Sequence, residues 1–258
     1  YEISLGLVGS EMCIRDSKAG AYANYGADKE KLRDLMMFYS AKNEKFITLK
    51  EYREAMPEDQ EEIYYAAGSS TDALSKLPQA EMVRKHDYDI LYLTADIDEF
   101  IISQLESQDD KKFRSITAGD LNLSSEEEKK EAEEKSAANR AMFDAMKEAL
   151  DGKVKDVRVS SRLVSDPVCL TSEGNLSIEM ERVLNNVPNN GNHFSAEKIL
   201  EINASHPIFE KLIRLYTSDP DKLKTYAKLL YDQAMLIAGM PVEDPAAFTQ
   251  AMCDLMAE

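Results

Sequence analysis

The sequence contains no tryptophan, only three cysteines and, for 258 residues, only eight prolines and ten glycines. Cys13, Cys169 and Cys253 are far apart and odd in number. They give neither a disulfide framework nor a zinc-ligand spacing, and they fit a reducing cytoplasm. No G-x-x-x-x-G-K-[ST], G-x-G-x-x-G, G-x-S-x-G, C-x-x-C or H-E-x-x-H pattern occurs, so no catalytic residue, bound cofactor or metal centre is indicated. No apolar run approaches a membrane span, so no membrane partner is expected. Positive charge is scarce, with 31 Lys and Arg against 48 Asp and Glu and a net charge of −17. Such a surface repels phosphate backbones, which argues against a nucleic-acid partner, and it keeps exposed apolar surface soluble.

What is present suffices for one or two domains with a real core: 43% of residues are hydrophobic and 31% charged. The chain starts at Tyr1 rather than Met, which suggests a piece of a longer protein. Leu5–Ser17 (LGLVGSEMCIRDS) fits nothing that follows it and reads as adapter-derived sequence, so residues 1–17 are expected to lie outside the fold. A helix is predicted from Asp28, with Leu32, Leu35, Met36 and Tyr39 at helical spacing. Thr48 with Glu51 forms a capping-box pattern ahead of LKEYREAM. Ile63–Ala67 and Asp89–Thr94 read as parallel strands of a βαβ unit, joined by a helical stretch from Ser70 to His86 that is interrupted near Pro78. A helix over Ile97–Ser107 and an edge-like strand over Lys111–Thr117 complete a small α/β unit, residues 18–120.

Residues 121–258 form a second, α+β domain in this reading. SSEEEKKEAEEKSAANRAMFDAMKEAL is one long helix, capped by Ser124 or Ser125 and solvated at first. Ala141, Met142, Ala145, Met146 and Ala149 give its second half an apolar face. Val154–Thr171 reads as two strands with a turn at Ser165–Pro167. Next comes a short amphipathic helix, Leu176–Val187, with Leu176, Met180, Val183, Leu184 and Val187 on one face and Ser177, Glu179, Glu181, Arg182 and Asn185 facing away. Lys198–Asn203 alternates like a strand. Three helices follow, opened by His206-Pro207, Asp219-Pro220 and Asp244-Pro245. Leu223, Tyr226, Ala227, Leu230, Ala234 and Ile237 make one stripe, widened by Leu229 and Leu236. Phe248, Ala251, Met252, Leu255 and Met256 make another. Two such hairpins from two copies would close a four-helix bundle.

Each candidate site has a plain structural reading beside the functional one. Asp96, Asp98 and Glu99 could hold a metal for hydrolysis, but acidic residues also suit a helix start. Cys169 sits between Val168 and Leu170 and reads as a buried thiol. His206 reads as part of a helix start, His193 lies in a polar loop, and His86 ends a helix. The Leu176–Val187 helix either packs on its own domain or offers a flexible apolar face to varied partners.

Seven ordered stretches resemble the heat-shock protein 90 chaperones of the bacterial HtpG type. They are TLKEYREAM (48–56), EEIYYAAG (61–68), ILYLTADIDEFIISQL (90–105), KDVRVSSRLVSDPVCLTS (155–172), EINASHPIFEKL (201–212), LLYDQAMLIAG (229–239) and EDPAAFTQAMCDLM (243–256). The resemblance implies the last α/β part of the family's middle domain, as an α/β/α sandwich, followed by its dimerisation domain. It implies ATP and Mg in the full-length protein, with no enzyme activity and no cofactor in this piece. Partly unfolded clients are implied to bind at Glu99, Phe100 and Ser103, with Phe100 exposed, and at Leu176, Met180, Val183 and Leu184 on an exposed face. The homodimer contact is implied on the last two helices, at Leu223, Tyr226, Leu230, Ala234, Ile237, Phe248, Met252 and Leu255. The acidic pentapeptide that docks tetratricopeptide co-chaperones in eukaryotic members is not at Leu255–Glu258, so such partners are not expected. A helical dimerisation scaffold without client binding is the alternative.

Overall fold

The computed structural model describes residues 18, 33–187 and 193–257. Residues 1–17, Asp28 and Leu32 lie outside the described residues. The chain divides into two compact units. One holds residues up to Ser75 together with Val83–Ile116, and the other holds Lys76–Met82 together with Thr117–Glu258. Both mix helix and sheet.

The first unit is a six-stranded sheet in the order β2-β1-β4-β3-β6-β5. Its strands are β1 (Met37–Ser40), β2 (Lys45–Thr48), β3 (Glu62–Ala67), β4 (Ile90–Leu93), β5 (Ser107–Gln108) and β6 (Lys111–Ser115). The β3–β4 pair is parallel, with Tyr64 opposite Ile90. Its near-continuous apolar runs are buried, as the centre of such a sheet requires. β6 also runs parallel to β3 and is not the edge, because the two-residue β5 pairs outside it. The helix α1 (Leu49–Ala55) starts at the expected box: Glu51 N donates to Thr48 Oγ1 at 3.2 Å and Thr48 N donates to Glu51 Oε2 at 2.7 Å. The predicted Ser70–His86 helix is two short ones, α2 (Thr71–Ser75) and α3 (Gln79–Lys85), and the division between the units passes through α3. α4 (Asp98–Leu105) follows β4.

The helix predicted around Leu35, Met36 and Tyr39 is overturned. Arg33–Leu35 is a single 3-10 turn and Met37–Ser40 is strand. Met36, Phe38 and Ser40 are buried in alternation, so the relevant period is two rather than 3.6. Pairing of β1 with both β2 and β4 outweighs a local helical spacing.

The second unit has a three-stranded sheet in the order β7-β9-β8: β7 (Asp156–Val159), β8 (Val168–Glu173) and β9 (Glu197–Ile202). The expected strands β7 and β8 exist, but β9 lies between them, parallel to β7 and antiparallel to β8. Val157, Val159, Val168, Leu170, Leu200 and Ile202 belong to the unit's apolar core. The predicted long helix is broken at Asn139 into α5 (Glu126–Ala138) and α6 (Arg140–Ala149). Ser125 is the cap of α5, with Glu128 completing the box. Only Ala132 of α5 is buried, as its charge pattern requires. On α6 the buried face is Met142, Phe143 and Met146, while Ala141 is exposed.

The last helices are α7 (Ile178–Asn185), α8 (Pro207–Ser218), α9 (Pro220–Ile237) and α10 (Pro245–Met256). Proline opens α8, α9 and α10, and the preceding residue caps each: His206 Nδ1 accepts from Ile208 N, Asp219 from Lys222 N and Asp244 from Ala247 N. Gly239 stops α9 at φ 74°, where a left-handed residue is needed. Gly239 N donates to Leu236 O and Met240 N to Met235 O, closing the helix end.

Candidate binding surfaces

Three surfaces correspond to the residues singled out in the sequence. On α4, Asp98 and Glu99 are both buried. Asp98 receives Lys18 Nζ at 3.0 Å and Ala95 N at 3.2 Å. Burial raises its carboxyl above the ordinary range, and the lysine only partly offsets this. Glu99 lies beside Tyr65, whose phenol is pushed up by burial and then by that carboxylate. Asp98 is thus committed to a lysine. Among the described residues no group of three or more His, Cys, Asp and Glu could hold a metal ion. Phe100, expected exposed, is half-buried, and Ser103 is exposed with its hydroxyl donating to Phe100 O at 2.7 Å. Only Phe100 and Ser103 of this patch therefore reach solvent.

The amphipathic helix α7 departs from the exposed, loosely held element expected. Ser177 caps it, accepting from Met180 N at 2.9 Å. Ile178 and Met180 are buried, at 6% and 8% exposure, and Ile178 is part of the unit's core. Leu176, Val183 and Leu184 are half-buried and Val187 is 49% exposed. Glu181, read as facing away, accepts from Lys198 Nζ at 2.5 Å and from Ala196 N at 2.7 Å. Lys198 is on the face of β9 shared by Leu200 and Ile202, so the helix lies against the core side of the sheet. Asn185 Nδ2 donates to Phe194 O at 2.8 Å and Phe194 N donates to Asn185 Oδ1 at 2.9 Å. No local sequence signal links Glu181 to Lys198, because their meeting is set by the sheet.

The third surface is at the end of the chain. Leu223, Leu230 and Ala234, placed in the sequence reading at a contact between copies, are buried in the core of their own unit. Tyr226 packs partly against that core, and Ile237 is half-exposed. α10 has no buried residue along its twelve. Phe248, Met252 and Leu255 are half-exposed, Met256 is 73% exposed, and Leu236 at the end of α9 is 51% exposed. Gln233 Nε2 lies 3.8 Å from Met252 Sδ, holding α10 beside α9. The first unit also has a cleft of about 610 Å3 that includes Tyr39, Tyr92, Lys42 and Arg84. Lys42 is paired with Asp87 and Arg84 donates to Ser75 O, so both cations are already engaged. Cys169 is fully buried and its thiol is pushed well up, first by burial and then by Glu201, which disfavours the reactive thiolate.

The family profile described as Hsp90 protein matches residues 16–258. The Chaperone protein HtpG of Halalkalibacterium halodurans is 51% identical over 243 residues, covering 94% of this chain and 39% of that protein. The proteins of the same name from Clostridium acetobutylicum and Bacillus subtilis are 50% and 47% identical over 242 residues each. The chain spans about two-fifths of the length of these relatives.

Proposed function

The chain belongs to the Hsp90 family, and on that premise we propose that it is the client-binding and dimerising part of an ATP-dependent chaperone working in the cytoplasm. It would pair with a second copy and receive partly unfolded proteins. Its units would be the end of the middle domain, residues 18–120, and the dimerisation domain, residues 121–258. ATP with Mg would be bound by the rest of the whole protein. No phosphate-cradling glycine loop of the G-x-x-x-x-G-K-[ST] type is present in the sequence, and among the described residues no group of three or more His, Cys, Asp and Glu could hold a metal ion. Hydrolysis would belong to the whole protein rather than to this stretch.

One observation carries the dimer: in the twelve-residue helix α10 no residue is fully buried, and its apolar side chains are only partly covered. An isolated amphipathic helix of this length is marginal in water, so an apolar face without full cover calls for another surface. Leu236, Ile237, Phe248, Met252, Leu255 and Met256 supply it, and a second copy of the same hairpin would complete a four-helix bundle. Leu223, Leu230 and Ala234, on the same helix as Leu236 and Ile237, are taken up by the core of their own unit. In light scattering the chain should have about twice the 29.1 kDa of one copy. Leu255→Asp with Met256→Asp should give a folded monomer. A wild-type monomer at tens of micromolar (about the concentration that reveals ordinary interfaces) would refute the dimer.

Clients would be met at two places in each copy, Phe100 with Ser103 on α4, and Leu176 just before α7 with Val183 and Leu184 on it. Half-exposed apolar side chains can substitute for part of a client's unfinished core. A net charge of −17 keeps such surface from self-association. A dimer makes the contact bivalent, which strengthens capture without new contacts.

A further inference from the structure

Met180 raises the question of how α7 is kept closed. Its neighbours Val183, Leu184 and Val187 are partly open to solvent, yet Met180 and Ile178 are covered. The helix has only eight residues and is too short to hold itself. Beside the core packing of Ile178, two side-chain attachments hold it among the described residues. The first is in mid-helix: the Glu181 carboxylate receives Lys198 Nζ on both oxygens, at 2.7 and 2.5 Å, and Ala196 N at 2.7 Å. Both partners are largely dry, with side-chain exposures of 14% for Glu181 and 8% for Lys198. The second is at the helix end: Asn185 exchanges both its amide bonds with the backbone of Phe194. The groups are all polar, and the five bonds join α7 to β9 and to the segment that leads into it.

We propose that these two attachments form a clamp, and that releasing it turns the covered side of α7, Met180 first, out to a partner. This rests on the reading of α7 as a client surface and adds how much of that surface is offered. Closed, the helix shows Val183, Leu184 and Val187. Open, it adds Met180, a flexible and adaptable apolar side chain, while Ile178 stays in the core. A polar clamp suits the role because water can compete for its groups once it parts, whereas a packed apolar contact would open only with the core.

The test uses the whole chain carrying Glu181→Gln with Asn185→Ala, read by amide hydrogen exchange and by the rate of peroxide oxidation at Met180. Exchange across α7 should rise by about tenfold or more, the scale of lost charge-assisted bonds, and Met180 oxidation should quicken with it. Exchange in α9 should stay unchanged, showing that the core is intact. Unchanged exchange and oxidation at α7 would overturn the clamp. So would acceleration of α9 together with α7, because the helix would then be opening only with the whole unit. Asn185→Ala alone, at an exposed position, should give a smaller rise in the same place, and no rise there would also count against it. Suppression of client aggregation separates the clamp from the reading it rests on. Stronger suppression by the opened variant supports both. Opening without any change in suppression keeps the clamp and overturns the covered side of α7 as part of the client surface.

Discussion

At the scale of single residues, the most consequential group is Glu201. Its carboxylate is 2% exposed and is met by Arg158 at 2.7 Å, by Arg162 at 3.0 Å and by Ser160 Oγ at 2.9 Å. Burial alone would raise its carboxyl, but the two guanidiniums outweigh burial and hold it below the ordinary value of 4.5. A carboxylate lowered in the folded state stabilises above its unfolded value and loses that stabilisation as the pH falls through the folded one. The chain should therefore lose stability as the pH is taken below 4.5, and Glu201→Gln should flatten that part of the profile in thermal melts. Glu201→Ala should cost about 3 kcal/mol in denaturant unfolding, since it takes the shared buried carboxylate from Arg158 and Arg162. None of this was legible locally. In KILEIN the residue is one polar position in an alternating strand, and Arg158 lies 43 residues earlier. The same holds for Glu181 and Lys198, whose charges meet only because β9 and α7 are folded together.

At the scale of elements, local chemistry was readable wherever a cap or a rigid residue fixes the chain. Thr48 with Glu51, Ser125 with Glu128, and the prolines at 207, 220 and 245 marked their helix starts correctly. Each such cap should carry its share: Asp219→Ala should lower unfolding stability by about 1 kcal/mol, measured by denaturant titration. Elements defined by pairing were less readable. Met37–Ser40 is a strand because two neighbours accept it, and β7 and β8 are parted by a third strand that comes later in the sequence. Apolar stripes gave the helices but not which part of a stripe is covered. Leu223 and Leu230 are core, while Leu236 and Met256, on the same kind of pattern, are open to solvent. Burial depends on which neighbours arrive, and periodicity carries no record of that.

At the scale of the whole molecule, the mixed α+β architecture and the family were both legible, because seven stretches keep their order and spacing along nearly the full chain. The surface residues were legible only as patterns. The sequence reading put Met180 and Phe100 in the open, and the fold covers the first and half-covers the second. In the proposed function the outward side of α7 captures clients while the α9–α10 end joins two copies. Suppression of aggregation tests that claim most directly. An unfolding client protein is followed by turbidity with the wild-type chain and with Val183→Asp plus Leu184→Asp, at equal concentration and with light scattering to check that the mass is unchanged. The account predicts that the wild type suppresses aggregation and that the variant, still of wild-type mass, suppresses it markedly less. Equal suppression by the two proteins would contradict it.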